Sequence, residues 1–152
     1  MRKPLIAIAL FAALLSGPVE AAPKGGACRL TPKQVVTRFM DEFYIQKKVR
    51  SSFERWVDPG YIQHNPFAAT GRAAAIEFLT KFVEQNPDHH TRIHRIIADG
   101  NLVAVHSQVW MKAGDNGAAV VDIFRVSGCR VMEHWDVLQP VPAQAANSNG
   151  MF

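Results

Sequence analysis

The sequence predicts an α+β fold in which helices cover one face of an antiparallel sheet. Two observations carry this. Apolar residues recur at helical spacing in the first half, and near residue 90 the period changes from about 3.6 to about 2. The segments that follow alternate and are separated by hairpin-type turns, so helices come first and antiparallel strands last. With 152 residues, 48% hydrophobic and 20% charged, the chain has the composition of one globular domain. As a class for the whole chain, a long multidomain enzyme, a coiled coil and a disordered tail are excluded on the same ground. The formal charge of +4 comes from scattered residues, so no nucleic-acid footprint is indicated.

The N-terminus reads as an export signal. Arg2 and Lys3 precede the apolar run Leu5 to Leu15, then the breakers Gly17 and Pro18, then Val19-Glu20-Ala21. The run is too short for a span, which needs roughly 20 apolar residues. Residues 1–21 are therefore expected to be a signal peptide, 22–30 a linker, 31–142 the folded domain and 143–152 a flexible tail. A secreted or periplasmic protein without a membrane span follows. The two cysteines, Cys28 and Cys129, both survive cleavage. An oxidising compartment favours pairing them, but sequence does not measure their separation, so a bridge and two free thiols both stay open.

Thr31-Pro32-Lys33-Gln34 is a helix start, with Thr31 as cap, Pro32 in the first turn and Gln34 completing a capping box. Val35, Val36, Phe39, Met40 and Phe43 extend that helix to about Lys48. A short helix from Ser52 to Val57 carries Phe53 and Trp56 and stops at Asp58-Pro59-Gly60. Tyr61 to Pro66 is extended or irregular. Gly71 precedes a third helix with Ala75, Ile76, Phe78, Leu79, Phe82 and Val83, stopped by Asn86-Pro87.

Four strands follow: Thr91 to Asp99, Leu102 to Met111, Ala118 to Val126 and Arg130 to Gln139. Gly114-Asp115-Asn116-Gly117 is a hairpin turn, and Pro140 and Pro142 end the sheet. Alternation groups His106 with Trp110, Asp122 with Phe124, and Met132 with His134, Asp136 and Leu138, while Val131, Trp135 and Val137 oppose that last set. Apolar residues lie on both faces. One face needs the helices as cover and the other is most simply covered by a second subunit.

His106, Asp122, His134 and Asp136 lie inside apolar strands, where an unpaired polar group is costly. If their face turns inward they line one cavity, with His64-Asn65 at its mouth. Apolar walls with a few convergent titratable groups suit acid–base chemistry, because burial makes a carboxylate a stronger base and a neighbouring histidine relays protons. The catalytic candidates are Asp136, His106, Asp122 and His64. The candidate substrate contacts are Asn65, His134, Trp110 and Phe124. There is no nucleophile elbow, phosphate loop or dinucleotide fingerprint, and no cofactor or metal is expected. His89-His90-x-x-x-His94 fits ligand spacing poorly and reads as a solvated basic loop.

Tyr61-Ile62-Gln63-His64-Asn65-Pro66 with Gly71-Arg72 and the helix after them resembles the first half of SnoaL-like proteins. Leu102 to Ser107, Val121-Asp122-Ile123-Phe124-Arg125-Val126 and Glu133 to Pro140 resemble the second half in the same order. The resemblance implies a nuclear-transport-factor-2-like cone, a curved sheet wrapped by three helices around a pocket, often dimeric through the outer sheet face. It also implies relatives that close polyketide rings by an intramolecular aldol reaction with an Asp as general base, and Asp136 is the best match to it. The expected ligand is a small hydrophobic carbonyl compound, the expected assembly a homodimer. The expected reaction is cyclisation, isomerisation or dehydration next to a carbonyl. The alternatives are a non-catalytic binder of a small ligand and a homodimeric interaction module. An export signal and a cysteine at position 129 both depart from the family.

Overall fold

The computed structural model describes residues 28–152. The expected signal peptide and most of the expected linker lie outside the described residues. The elements are α1 (Pro32–Met40), α2 (Val49–Trp56), β1 (Val57–Gln63), α3 (Arg72–Gln85), β2 (His90–Asp99), β3 (Leu102–Trp110), β4 (Ala118–Ser127) and β5 (Arg130–Pro140). The strands form one curved, unclosed sheet in the order β1-β5-β4-β3-β2. Among the described residues no helix is long and apolar enough to cross a membrane.

α1 begins as its sequence dictates. The Gln34 N–H donates to the Thr31 hydroxyl at 3.2 Å, and the Thr31 N–H donates to the Gln34 side chain at 2.9 Å. Its buried residues Val35, Val36, Phe39 and Met40 form one stripe. The helix does not continue regularly to Lys48. It ends at Met40 and passes into a π-helical turn, Asp41–Ile45, whose extra residue shifts the face that follows. Lys47 closes the turn in the left-handed region at φ 54°. α2 starts at Val49, earlier than expected.

α2 stops at Trp56, just before Asp58-Pro59-Gly60, but that triplet is not a separate turn. It lies inside β1, which pairs parallel with β5. Pro59 is tolerated because β1 is an edge strand and its register shifts between Val57 and Ile62. β5 ends at Pro140, where the sequence places the end of the sheet.

The core lies between the helices and the inner sheet face. Phe39 packs its ring against those of Phe43, Phe53 and Phe124 at centroid distances of 5.7, 5.1 and 5.8 Å. Val103, Val105 and Ser107 of β3 and Val120, Asp122, Phe124 and Val126 of β4 face inward. On β5 a bulge corrects the simple alternation. Val126 pairs with Val131 but Arg125 pairs with Glu133, so Met132 is the extra residue and Val131 turns into the core.

Gly128 and Cys129 link β4 to β5 with φ values of 53° and 65°, the pair of left-handed residues a type I′ hairpin requires. Cys129 is bonded to Cys28, with Cα atoms 5.3 Å apart, and this ties the segment before α1 to the tip of the hairpin.

Candidate active site

β4 and β5 put the polar residues on one surface by register alone. Asp122 is paired with Asp136 and Phe124 with His134, and alternation turns all four toward the helices. β1 adds Gln63 beside His134. Two carboxylates facing each other across a ladder repel, so each needs its own donor.

Each has one. His134 Nε2 lies 2.9 Å from Asp122 Oδ1, with both side chains almost fully buried. Asn65 Nδ2 donates to both oxygens of Asp136, at 3.0 and 2.7 Å. The amide of Asn65 is held in that sense because its Oδ1 accepts the Phe67 N–H at 2.8 Å.

Gln63 sets the histidine. Its Oε1 accepts the Asn65 N–H at 3.0 Å, which identifies that atom as oxygen, and the same oxygen lies 2.9 Å from His134 Nδ1. His134 Nδ1 must therefore carry a proton. The Nε2–Asp122 contact needs a second proton on one of its two atoms. The buried pair thus holds a transferable proton beside the carboxylate of Asp136. The Gln63 amide nitrogen donates to the Tyr61 hydroxyl at 3.0 Å.

Above this surface the helices leave a cleft of two adjoining lobes, about 110 and 250 Å³ in volume, which share Phe43, Tyr44, Phe78, Leu79 and Asp136. Asn65, His134 and Phe124 border the first lobe. Asp122, Lys47 and His89 border the second. Tyr44, from the π turn, borders both, and its hydroxyl makes no hydrogen bond to the described residues. Burial first, then Asp122, Tyr61 and Asp136, push the Tyr44 phenol well above the ordinary tyrosine range. Burial and the same two aspartates push Tyr61 up as well. Both phenols therefore stay protonated and can donate.

The structure gathers Asn65, Asp122, Phe124, His134 and Asp136 in the cleft and places three other candidates elsewhere. His106 shares a strand with Val105 but points to the opposite, outer face, where its Nδ1 lies 2.6 Å from an Arg95 nitrogen. Trp110 is on that outer face too, with its ring stacked on His90 at 4.6 Å. His64 stacks on Trp135 at 4.4 Å and bonds Glu133 at 3.1 Å, both outward residues of β5, so Asn65 alone of that pair enters the cleft. Arg125 first, then His64, holds Glu133 below the usual carboxylate range, which marks an ion-pair cluster on the far side of the sheet. The solvated-loop reading also fails for His89, which is 5% exposed and packs edge-on against Phe82 at 5.0 Å.

Gln63, Tyr44 and Tyr61 were not among the sequence candidates. Tyr61 and Gln63 had a usable signal, being two apart in an extended segment that also contains Asn65. Tyr44 had none, because its direction depends on the π turn.

Asp122, His134 and Asp136 each offer one ligand atom, all within 4.8 Å of one another. One histidine and two carboxylates at that spacing could also hold a divalent cation. A cation would have to replace the proton between His134 and Asp122 and share Asp136 with Asn65.

Cone, cleft and inward aspartates define a class of protein, and comparison with known proteins gives its family. The model of the SnoaL-like domain matches residues 36–134, and the chain belongs to the SnoaL-like family. Solved structures share the fold. An NTF2-like protein of unknown function from Cytophaga hutchinsonii superposes with a TM-score of 0.61 at 12% identity, over 74% of this chain and 94% of that one. A protein assigned as a polyketide cyclase from Acidithiobacillus ferrooxidans gives 0.58 at 16% identity, over 73% and 90%. A protein assigned as an isomerase of the SnoaL-like family from Agrobacterium tumefaciens gives 0.59 at 11%, over 69% and 94%. At these identities the likeness establishes the fold. No curated protein sequence matches the chain.

Proposed function

We propose that this SnoaL-like protein is an acid–base enzyme acting next to a carbonyl of a small, largely apolar molecule. The observation that carries the reading is the Asp136 carboxylate, held by Asn65 in an apolar cleft beside a pair that stores a proton. Asp136 takes a proton from the carbon next to the carbonyl. The charge that develops on the carbonyl oxygen is met by the Tyr44 phenol, a donor with no other partner among the described residues. The resulting enolate then attacks a second carbonyl of the same molecule, is reprotonated at another carbon, or expels a β-hydroxyl group. The Asp122–His134 pair supplies the proton for the oxygen that leaves or closes. These outcomes are aldol-type cyclisation, isomerisation and dehydration, and the assigned activities of the solved relatives lie among them.

The setting we infer is outside the cytoplasm, after removal of residues 1–21. The Cys28–Cys129 bond supports that setting. A homodimer through the outer sheet face is the assembly we infer, supported by the exposed Ile97 and Val137, at 62% and 64%. Mass analysis of the exported chain and sedimentation of the purified protein check these two points.

Proton abstraction is tested by following solvent exchange of ketone α-protons in D2O by NMR, over a panel of apolar ketones and diketones. The wild-type protein accelerates exchange, and Asp136→Asn loses the acceleration while keeping its circular dichroism. Exchange by Asp136→Asn at the wild-type rate would overturn the assignment of the base. Binding of a panel member with no exchange in either protein would make the cleft a binding site. The same assay with EDTA separates proton transfer by side chains from chemistry that needs a cation.

A further inference from the structure

The second lobe is lined by groups of opposite electrostatic character: Asp122 and Asp136 border it, and so do Lys47 and His89. We propose that Lys47 and His89 form a subsite for a carboxylate, so that the substrate is an apolar acid carrying its reactive carbonyl at the Asp136 end. The assignment rests on the cleft being the substrate site, and it adds the class of molecule that the cleft accepts.

Three observations carry it. Lys47 holds a left-handed backbone, φ 54°, where glycine is the usual residue. Apart from Cys129, in its bonded hairpin, it is the only described non-glycine residue with positive φ. A side chain kept in a conformation that disfavours it points to a use for that side chain. The lysine is also anchored. Its Nζ donates to the Pro87 carbonyl at 2.8 Å, which anchors the ammonium, and among the described residues its other two N–H bonds have no partner. His89 is the third observation. It is nearly fully buried, lines the same lobe, and its Nδ1 has no hydrogen-bond partner among the described residues. A buried orphan of this kind needs a reason. Burial first, then Lys47 and His90, pull His89 below the ordinary histidine value, so it is a neutral ring.

The rest of the lobe is apolar, with Leu79, Phe82, Val83 and Val109 among its walls. An aliphatic or aromatic body fits there, and its negative end is drawn to Lys47 and repelled by Asp122 and Asp136. That polarity orients the ligand in one direction. Orientation is what a base needs if it is to meet one carbon rather than several.

Octanoate and octanamide test this, since they match in shape and differ in charge. By calorimetry at pH 7 the wild-type protein is expected to bind octanoate at least ten-fold more tightly. Lys47→Gly suits the left-handed backbone and removes the ammonium together with its stem; loss of the stem affects both ligands alike, so the preference should fall to near unity. Lys47→Arg should restore it. His89→Phe keeps a ring against Phe82 and should weaken octanoate more than octanamide. Equal affinities in the wild-type protein, or a preference that survives both Lys47→Gly and His89→Phe, would overturn the subsite. Asp136→Asn separates this result from the catalytic reading. The preference for octanoate should persist in it even though exchange is lost, and failure of exchange in the wild-type protein leaves the octanoate result standing on its own.

Discussion

Asn65 spends one amide nitrogen on both carboxylate oxygens of Asp136, at 3.0 and 2.7 Å, from the loop that follows the edge strand β1. The contact fixes the plane of the carboxylate and leaves its remaining lone pairs toward the cleft. Asn65→Ala should therefore fold normally and lose on the order of 10- to 100-fold in kcat, because a base free to rotate spends less time aligned. Asn65→Asp should be worse, placing a third carboxylate against Asp136. Steady-state rates on whichever ketone shows exchange check both.

The bond between Cys28 and Cys129 spans 101 positions, nearly the whole domain. Closing a loop of that length restricts the unfolded chain, and the loop-entropy model assigns it about 4–5 kcal/mol. Cys28→Ser should cost about that much in urea unfolding. Octanoate affinity should be unchanged, because neither cysteine borders the cleft.

Much of the fold is legible in the sequence, and less of the site is. Period and turn chemistry locate all three helices and the last four strands, since the capping box, Asn86-Pro87 and the glycine turns act locally. Alternation also groups Asp122 with Phe124 and His134 with Asp136. It cannot say which face of the sheet is concave, and this is why His106 and Trp110 entered the candidate list from the outer face. Bulges are equally silent. Met132 shifts Val131 inward, and the irregular register of β1 lets Asp58-Pro59-Gly60 lie in a strand although it reads as a helix stop. Tyr44, Lys47 and His89 depend on a π turn and on packing between distant elements, so no local pattern announces them.

His89 gives a pH dependence with a definite sign. Its folded value lies below the ordinary value of 6.5, chiefly through burial. Below pH 6.5 the unfolded chain takes up the proton before the folded one does, so stability falls as pH drops from 6.5 to the folded value. His94 is shifted the same way, by burial and then by Arg92, His106 and Arg95. His89→Phe should therefore reduce the slope of stability below pH 6.5 without abolishing it, since His94 contributes with the same sign. Urea midpoints at pH 7.5, 6.5 and 5.5 measure the slope. An unchanged slope would mean that His89 is not shielded in the native protein.

In the proposed reaction Asp122 stores a proton and Asp136 is the base, and one substitution separates the two roles. His134 Nδ1 donates to an oxygen whose identity the Asn65 N–H fixes, so any proton between His134 and Asp122 is additional to the one a neutral ring needs. In Asp122→Asn the new amide can donate to a bare Nε2. The hydrogen bond and the packing of His134 on Phe124, at 4.9 Å, then survive while the extra proton is lost. Folding should be close to wild type. Solvent exchange of the substrate carbon should also persist, because that step uses Asp136. Completion of the reaction needs the oxygen to be protonated, and loss of a positioned acid typically costs 10²–10⁴-fold, so turnover should fall by about that range. Exchange that continues while product formation stops is the expected signature. If both fall together, Asp122 and Asp136 act as one base and the division of labour between them is wrong.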